Sequence, residues 1–373
     1  MNIVLIFTYD MSLRKWAESG LLDREIKLYK TLAKNGVQVS FVTYGDDLDY
    51  EYAKELDGIQ IFPYYSYLKQ PKGKTLRLFY SLRMPFVLRS VFKGADIVKS
   101  NQMWGSWVAV LSKLLFRKAL ILRTGYELYD AARFRNSSII YMSLIRIISW
   151  ISYRSSTLVH VATSENKEVV QDVFGINSDK IKIMPNWVDT DTFCNKIFTR
   201  IKDTVLFVGR LHEQKNIPLL LHALSGTDIG VDIVGAGGMR EELQELSERL
   251  AVPCNFLGSI PNDQMPDIYN QYSIYVLCSP YEGNPKTLLE AMSCGCAVIG
   301  TNVLGIRGLI AHEKNGLLVA EDSQSLRHAI LRLNKDLLFS ASLGEEASRN
   351  IKKHNSLERL IVDEIQSYRQ CLK

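Results

Sequence analysis

Short apolar runs alternate with amphipathic stretches along almost the whole chain. Strand-like runs occur near 2–8, 37–43, 59–62, 96–99, 119–122, 158–162 and 181–184. Between several of them the apolar positions recur at helical spacing, as over 22–34 and 164–173. The pattern restarts at Thr204-Val205-Leu206-Phe207-Val208 and continues with strands near 231–234, 254–257, 274–277 and 297–300. Strand and helix repeated in this way predict parallel sheets with helices on both faces. The break falls in the polar, turn-like 186–203, which reads as a linker between two such sheets. The expected domains are 1–186 and 187–355, with a C-terminal helix over 356–373 packing back on the first.

A length of 373 residues suits two domains of roughly 100–200 residues each. Met1–Phe7 reads as a first buried strand, not a signal peptide. No apolar run reaches the ~18 residues of a membrane span. The six cysteines, Cys194, Cys254, Cys278, Cys294, Cys296 and Cys371, form no CxxC pair and no Cys/His cluster. They read as core thiols, and a reducing cytoplasm is the expected location.

Charge changes the picture more. The net +5 conceals 26 Lys+Arg against 17 Asp+Glu over 1–186, and 19 against 23 over the rest. Residues 60–154 alone hold 16 basic and 3 acidic residues, so the two halves are expected to face different partners. In that stretch cations interleave with bulky apolar residues, as in 74–83 and 143–150. That pattern suits a helix lying on an anionic bilayer, and equally an ordinary half-buried helix with a solvated basic face.

Ligands of open parallel sheets bind beyond the carboxyl ends of the strands, and a cleft between two such sheets is the default site. Two strand-to-helix loops carry suitable chemistry. In Val208-Gly209-Arg210-Leu211-His212-Glu213-Gln214-Lys215-Asn216, Arg210 and Lys215 can converge on one anion. A planar guanidinium fork and an ammonium point charge suit a diphosphate. The same residues would also pass as cations of a solvated loop. In Pro280-Tyr281-Glu282-Gly283-Asn284-Pro285-Lys286-Thr287-Leu288-Leu289-Glu290, Pro285 predicts the first turn of a helix. Glu282 then lies in the loop and Glu290 on the helix, with the N–H groups of 286–288 open to an anion. Carboxylates there could hold sugar hydroxyls, or be a helix-terminal and a surface acid.

Taken together these residues resemble the family-4 glycosyltransferases, enzymes of the GT-B fold. Glu282 and Glu290 resemble its E-x7-E motif, and the Arg210/Lys215 loop its GRLxxxKn segment. Residues 18–25, Lys182-Ile183-Met184-Pro185-Asn186-Trp187-Val188-Asp189 (Trp187 standing for a glycine), 295–299 and 315–319 resemble further segments of it. The resemblance implies an α/β chain of two Rossmann-like domains and a retaining transfer of the hexosyltransferase type from a nucleotide-diphosphate sugar. It gives Arg210 and Lys215 to the diphosphate, Glu282 to the sugar hydroxyls and Glu290 to the ribose. Backbone groups of Gly283, Asn284, Pro285, Lys286, Thr287 and Leu288 would support sugar and phosphate. Gly258 and Ser259 would meet the base, and Gly20 would let the N-terminal loop approach the donor phosphates. No metal or other cofactor is expected, because the two cations replace a divalent ion and no DxD stands at a strand end.

The chain departs from the family pattern at Trp187, in the N-terminal glycine loop, which keeps only one glycine, and on the acceptor side. Where relatives carry a histidine near the reacting sugar, this chain reads Arg123-Thr124-Gly125-Tyr126-Glu127. Glu127 is expected to face the cleft or to cap a helix, and His160, in a strand-like stretch, to be a satisfied core residue, with a catalytic role as the alternative. The basic and apolar stretch 60–154 leads to the expectation of peripheral attachment by the N-terminal domain at the inner membrane face, with a lipid-linked glycan of cell-surface polysaccharide synthesis as acceptor and no nucleic acid. Two rivals remain. An inactive sugar-nucleotide-binding subunit is disfavoured by the retained glutamates and cations. A nicotinamide oxidoreductase would need GxGxxG after the first strand, where Thr8-Tyr9-Asp10-Met11-Ser12 stands instead.

Overall fold

The computed structural model describes residues 1–125, 128–129, 132, 138–196 and 198–372. The chain divides into two compact units, Met1–Pro185 with Ile361–Lys373, and Asn186–Leu360.

The first unit is built on seven parallel strands in the order β3-β2-β1-β4-β5-β6-β7. These are β1 (Asn2–Ile6), β2 (Gln38–Thr43), β3 (Gln60–Pro63), β4 (Ile97–Ser100), β5 (Ala119–Thr124), β6 (Leu158–Val161) and β7 (Ile181–Ile183). The second has six, in the order β10-β9-β8-β11-β12-β13. They are β8 (Thr204–Val208), β9 (Gly230–Val234), β10 (Cys254–Gly258), β11 (Ile274–Leu277), β12 (Ala297–Thr301) and β13 (Leu317–Val319). Every residue of β11 and β12 is buried, as strands covered by helices on both faces must be. The architecture is the doubly wound α/β class that the alternation of runs implied. In each sheet the strand order reverses once, between β1 and β4 and between β8 and β11, which opens a crevice at the carboxyl ends there.

The C-terminal helix Leu357–Cys371 ends in the first unit, where Glu364 and Tyr368 are fully buried. Lys99 of β4 donates to both Glu364 oxygens at 2.7 Å and to the Tyr368 hydroxyl at 3.1 Å. Burial alone would raise the Glu364 carboxyl; Lys99, then His160 and Arg123, outweigh it and hold it at about 2. Burial lowers the Lys99 ammonium, and Glu364 offsets part of that. With both oxygens engaged, the pair stands ionised. His160 of β6 is buried as expected but not satisfied: neither ring nitrogen has a hydrogen-bond partner, and Nδ1 lies 3.8 Å from Glu364. Burial pushes its pKa down to about 3, so the ring stays neutral.

Candidate active site

The second unit's crevice is lined by the loops that follow β8 and β11. The β8 loop is fixed by its neighbours. Gly209 N–H donates to Val234 O (2.9 Å) and Leu211 N–H to Ala236 O (3.0 Å), while the buried Leu211 side chain anchors it. This explains the glycine cluster after β9. Gly235 has φ +140, and a Cβ on it would stand 1.9 Å from Gly209 O; one on Gly237 would stand 2.2 Å from Leu211 O. The glycines let two loops touch, with no dinucleotide required.

A single 3₁₀ turn, Glu213–Lys215, then carries the second cation. His212 caps it, Nδ1 accepting from Gln214 N–H at 3.2 Å, and Asn216 at φ +46 turns the chain into the helix Ile217–Leu224. His212 is exposed and serves the turn. Arg210 is exposed, whereas Lys215 is directed inward and forms an ion pair with Glu282. Only 13% and 9% of the two side chains is exposed, so this pair is shielded from most of the water that weakens surface pairs. Ser279 Oγ donates to the same Glu282 oxygen at 2.8 Å, and Thr301 Oγ1 holds the Ser279 carbonyl at 2.6 Å. Gly305, at φ +83, packs so closely that a Cβ would lie 2.4 Å from Glu282 O. Sequence reasoning missed Ser279, Thr301 and Gly305; a hydroxyl three residues before a motif acid is the one local signal. Cys278 donates to Asn216 O (3.2 Å), and burial raises its thiol to about 12, which leaves it unreactive.

Beyond Glu282 the chain is held by Asn284. Its side chain accepts from Asn186 N–H (2.9 Å) and its carbonyl from Asn186 Nδ2 (2.5 Å), tying the start of the unit to the site loop. Trp187 is buried, with the Lys286 ammonium 5.8 Å from its ring centre. Pro285 stands one residue before the helix Lys286–Ser293, not in its first turn as expected. Its extended backbone lets its carbonyl take the first helical bond, from Leu289 N–H at 3.3 Å, so it acts as the cap. The amides of Lys286, Thr287 and Leu288 thus stand at the helix start, where anions are favoured. Thr287 Oγ1 accepts from Tyr275 (2.9 Å). Glu290 is not a surface acid: it is buried, and Tyr269 OH donates to it at 3.0 Å. Burial, then the Glu290 charge, raises the Tyr269 hydroxyl well above its usual pKa, which keeps it a donor.

Gly258, φ +73, ends β10, and Ser259 follows it exposed. Gly20 lies in the first unit, where φ +66 and an N–H to Ala17 O bond (2.9 Å) make it the left-handed stop of the helix Leu13–Glu18. Gly125 N–H is held by Gln102 (3.0 Å); Glu127 falls outside the described residues. Among the described residues one carboxylate group, Asp189, Asp191 and Glu358, brings ligand oxygens within 4.8 Å of one another. Asp189 is already engaged there, accepting from Asp191 N–H (3.3 Å) and the Thr192 hydroxyl. All six cysteines are free.

Residues 26–192 match the family described as Glycosyltransferase Family 4, and residues 196–353 that described as Glycosyl transferases group 1. A Methanocaldococcus jannaschii protein named an uncharacterized glycosyltransferase is 26% identical over 249 residues; the match spans 61% of this chain and 64% of that protein's length. A Campylobacter jejuni enzyme, N-acetylgalactosamine-N,N'-diacetylbacillosaminyl-diphospho-undecaprenol 4-alpha-N-acetylgalactosaminyltransferase, is 24% identical over 335 residues, 86% of each chain. In fold, the chain resembles Anabaena HepE, solved in complex with UDP and glucose, with a TM-score of 0.77 at 17% identity over 99% of this chain and 100% of that one. Two parallel-sheet units, two cations and two glutamates at one switch point, and these matches along nearly the whole chain agree: this protein belongs to the family-4 type of GT-B glycosyltransferases.

Proposed function

We propose that the chain transfers a sugar, with retention of configuration, from a nucleotide-diphosphate donor to a lipid-linked glycan in cell-surface polysaccharide assembly. The observation that supports this best is the shielded Lys215–Glu282 pair in the loops that follow β8 and β11, at the switch point of the sheet. In this reading Arg210 and Lys215 take the donor diphosphate and stabilise the charge that develops as it leaves. Glu282 accepts hydroxyls of the transferred sugar, and Glu290 the ribose. Backbone groups of Gly283, Asn284, Pro285, Lys286, Thr287 and Leu288 complete the cradle, Gly258 and Ser259 meet the base, and Gly20 admits the donor phosphates. The acceptor oxygen bonds to the anomeric carbon on the face from which the diphosphate departs. The acceptor's proton passes to a phosphate oxygen of the leaving group, so no protein base and no metal ion takes part. A lipid-linked acceptor is supported by the activity for which the Campylobacter relative is named and by the basic character of 60–154, which suits an anionic membrane surface.

The test is a thermal-shift screen against nucleotide sugars followed by donor hydrolysis. One nucleotide sugar should stabilise the fold by mass action and be slowly hydrolysed. Stabilisation without turnover, even with acceptor present, would leave a sugar-nucleotide-binding subunit instead.

A further inference from the structure

The helix Ile139–Ser155 is turned inside out. Its buried residues are Ile145, Ser149, Ser152 and Tyr153. Ser152 shares a hydrogen bond with Ser106 (2.8 Å) of the neighbouring helix Ser106–Phe116, and Ser149 Oγ is buried without a partner. Ile145 and Tyr153 apart, most of its large apolar side chains face outward: Ile139 and Ile140 are each 83% exposed, and Leu144, Ile147, Trp150 and Ile151 stand out with them. An amphipathic helix of a water-soluble protein does the reverse, burying its apolar stripe and wetting its small polar one. Scattered exposed apolar residues are ordinary, but a continuous row along one helix marks an interaction surface.

Charge identifies what covers it. No Asp or Glu occurs between Asp130 and Glu165, while Arg146 and Arg154 flank the apolar row. The Arg154 guanidinium stacks 5.1 Å from the Trp150 ring, a ring–cation pairing suited to a headgroup boundary. The neighbouring helix Ser106–Phe116 adds exposed Leu114 and Leu115 and is followed by Arg117 and Lys118. Both helices cover the same sheet face, through Leu120 and Leu122 of β5. A second copy of this chain would set cations against cations, whereas an anionic bilayer complements them. No helix among the described residues is long and apolar enough to cross a membrane. With Ser152 and Tyr153 packed inside the first unit, the helix can enter a bilayer only lying in the interfacial plane.

We infer that Ile139–Ser155 is an in-plane membrane anchor that inserts its Ile140–Ile147–Ile151 edge among the acyl chains of an anionic bilayer. This deepens the reading of a membrane-borne acceptor, but its test needs neither donor nor acceptor. The full chain is mixed with vesicles of phosphatidylcholine containing phosphatidylglycerol, some with brominated acyl chains. Wild-type tryptophan fluorescence should be quenched by bromine, and Trp150→Phe should remove that quenching. Ile140→Ser/Ile147→Ser/Ile151→Ser alters only exposed positions, so folding and donor hydrolysis should persist while vesicle partition falls about tenfold or more. Partition of the triple variant within twofold of wild type would overturn the inference. So would vesicle-bound wild type that bromine does not quench. Wild-type dimers that the triple variant abolishes would also overturn it, giving the face to a second copy. Loss of donor hydrolysis in wild type would instead strike the transferase reading and leave the anchor standing.

Discussion

Lys215 and Glu282 neutralise one another across the loops of β8 and β11, and the proposed reaction needs both released to the donor. The diphosphate, carrying more charge than one carboxylate, draws the ammonium away; Glu282, still held by Ser279, is then open to sugar hydroxyls. Arg210→Ala and Lys215→Ala should each lower turnover by about 10²-fold, the loss typical of one transition-state donor, in steady-state kinetics on folded protein. Near-normal rates in both would remove the phosphate assignment. Glu282→Gln should abolish transfer yet bind nucleotide diphosphate at least as tightly as wild type, because Lys215 no longer has a competing carboxylate. Calorimetry showing weaker binding would place Glu282 among the phosphate contacts. Glu290→Ala should weaken the nucleotide itself. It also leaves the Tyr269 hydroxyl buried and unpaired, at a cost of about 1–3 kcal/mol that a lowered Tm should reveal.

At the scale of elements, the C-terminal helix is held to the first sheet by the ionised Lys99–Glu364 pair. Desolvating two charges makes such a pair a weak net stabiliser, but removing one partner strands the other. Lys99→Met or Glu364→Leu alone should destabilise by about 3–5 kcal/mol in denaturant unfolding, and the double variant should recover most of it. A double variant as unstable as either single one would contradict this. His160 adds a pH dependence. Its native pKa of about 3 lies below the roughly 6.5 of an unfolded chain, so between those values the unfolded state binds more protons. Stability should therefore be full above about 6.5 and fall as the pH drops toward 3. Glu364, also depressed, adds its own loss below the ordinary carboxylate range. His160→Leu should flatten the slope between pH ~4 and ~6.5 in urea titrations; an unchanged slope would show that other groups dominate.

For the whole molecule, two cations at the donor site imply independence from divalent ions. Transfer should survive EDTA; loss restored by manganese would contradict the assignment. The basic skew of 60–154 implies attachment governed by salt. Each Lys or Arg near an anionic surface contributes roughly 1 kcal/mol. Cosedimentation with vesicles should require anionic lipid, weaken with salt, and fall when Lys72, Lys74, Arg77 and Arg83 become Glu. Equal binding to neutral vesicles would remove the electrostatic part of the attachment and leave the transferase reading intact.

What the sequence by itself determined was what local pattern can carry. Runs of Val, Ile and Leu bounded by turns placed most of the strands, and their alternation with helical segments specified two parallel sheets. The loop of Arg210 and Lys215 and the spacing of Glu282 and Glu290 marked two strand ends as candidates for phosphate- and sugar-binding chemistry. Tertiary structure decided which groups meet. That Lys215 pairs with Glu282, 67 residues on, and Lys99 with Glu364, 265 residues on, depends on strand order and sheet register, which no spacing along the chain encodes. The glycines after β9 are explained by their close contacts with the β8 loop, which no local glycine pattern shows. Likewise, helical periodicity over 139–155 shows that two faces exist, but not which one turns inward. Burial is a property of the packed neighbours, and here Ser106 meets Ser152 on the inner face while Ile139, Ile140, Ile147 and Ile151 stay outside.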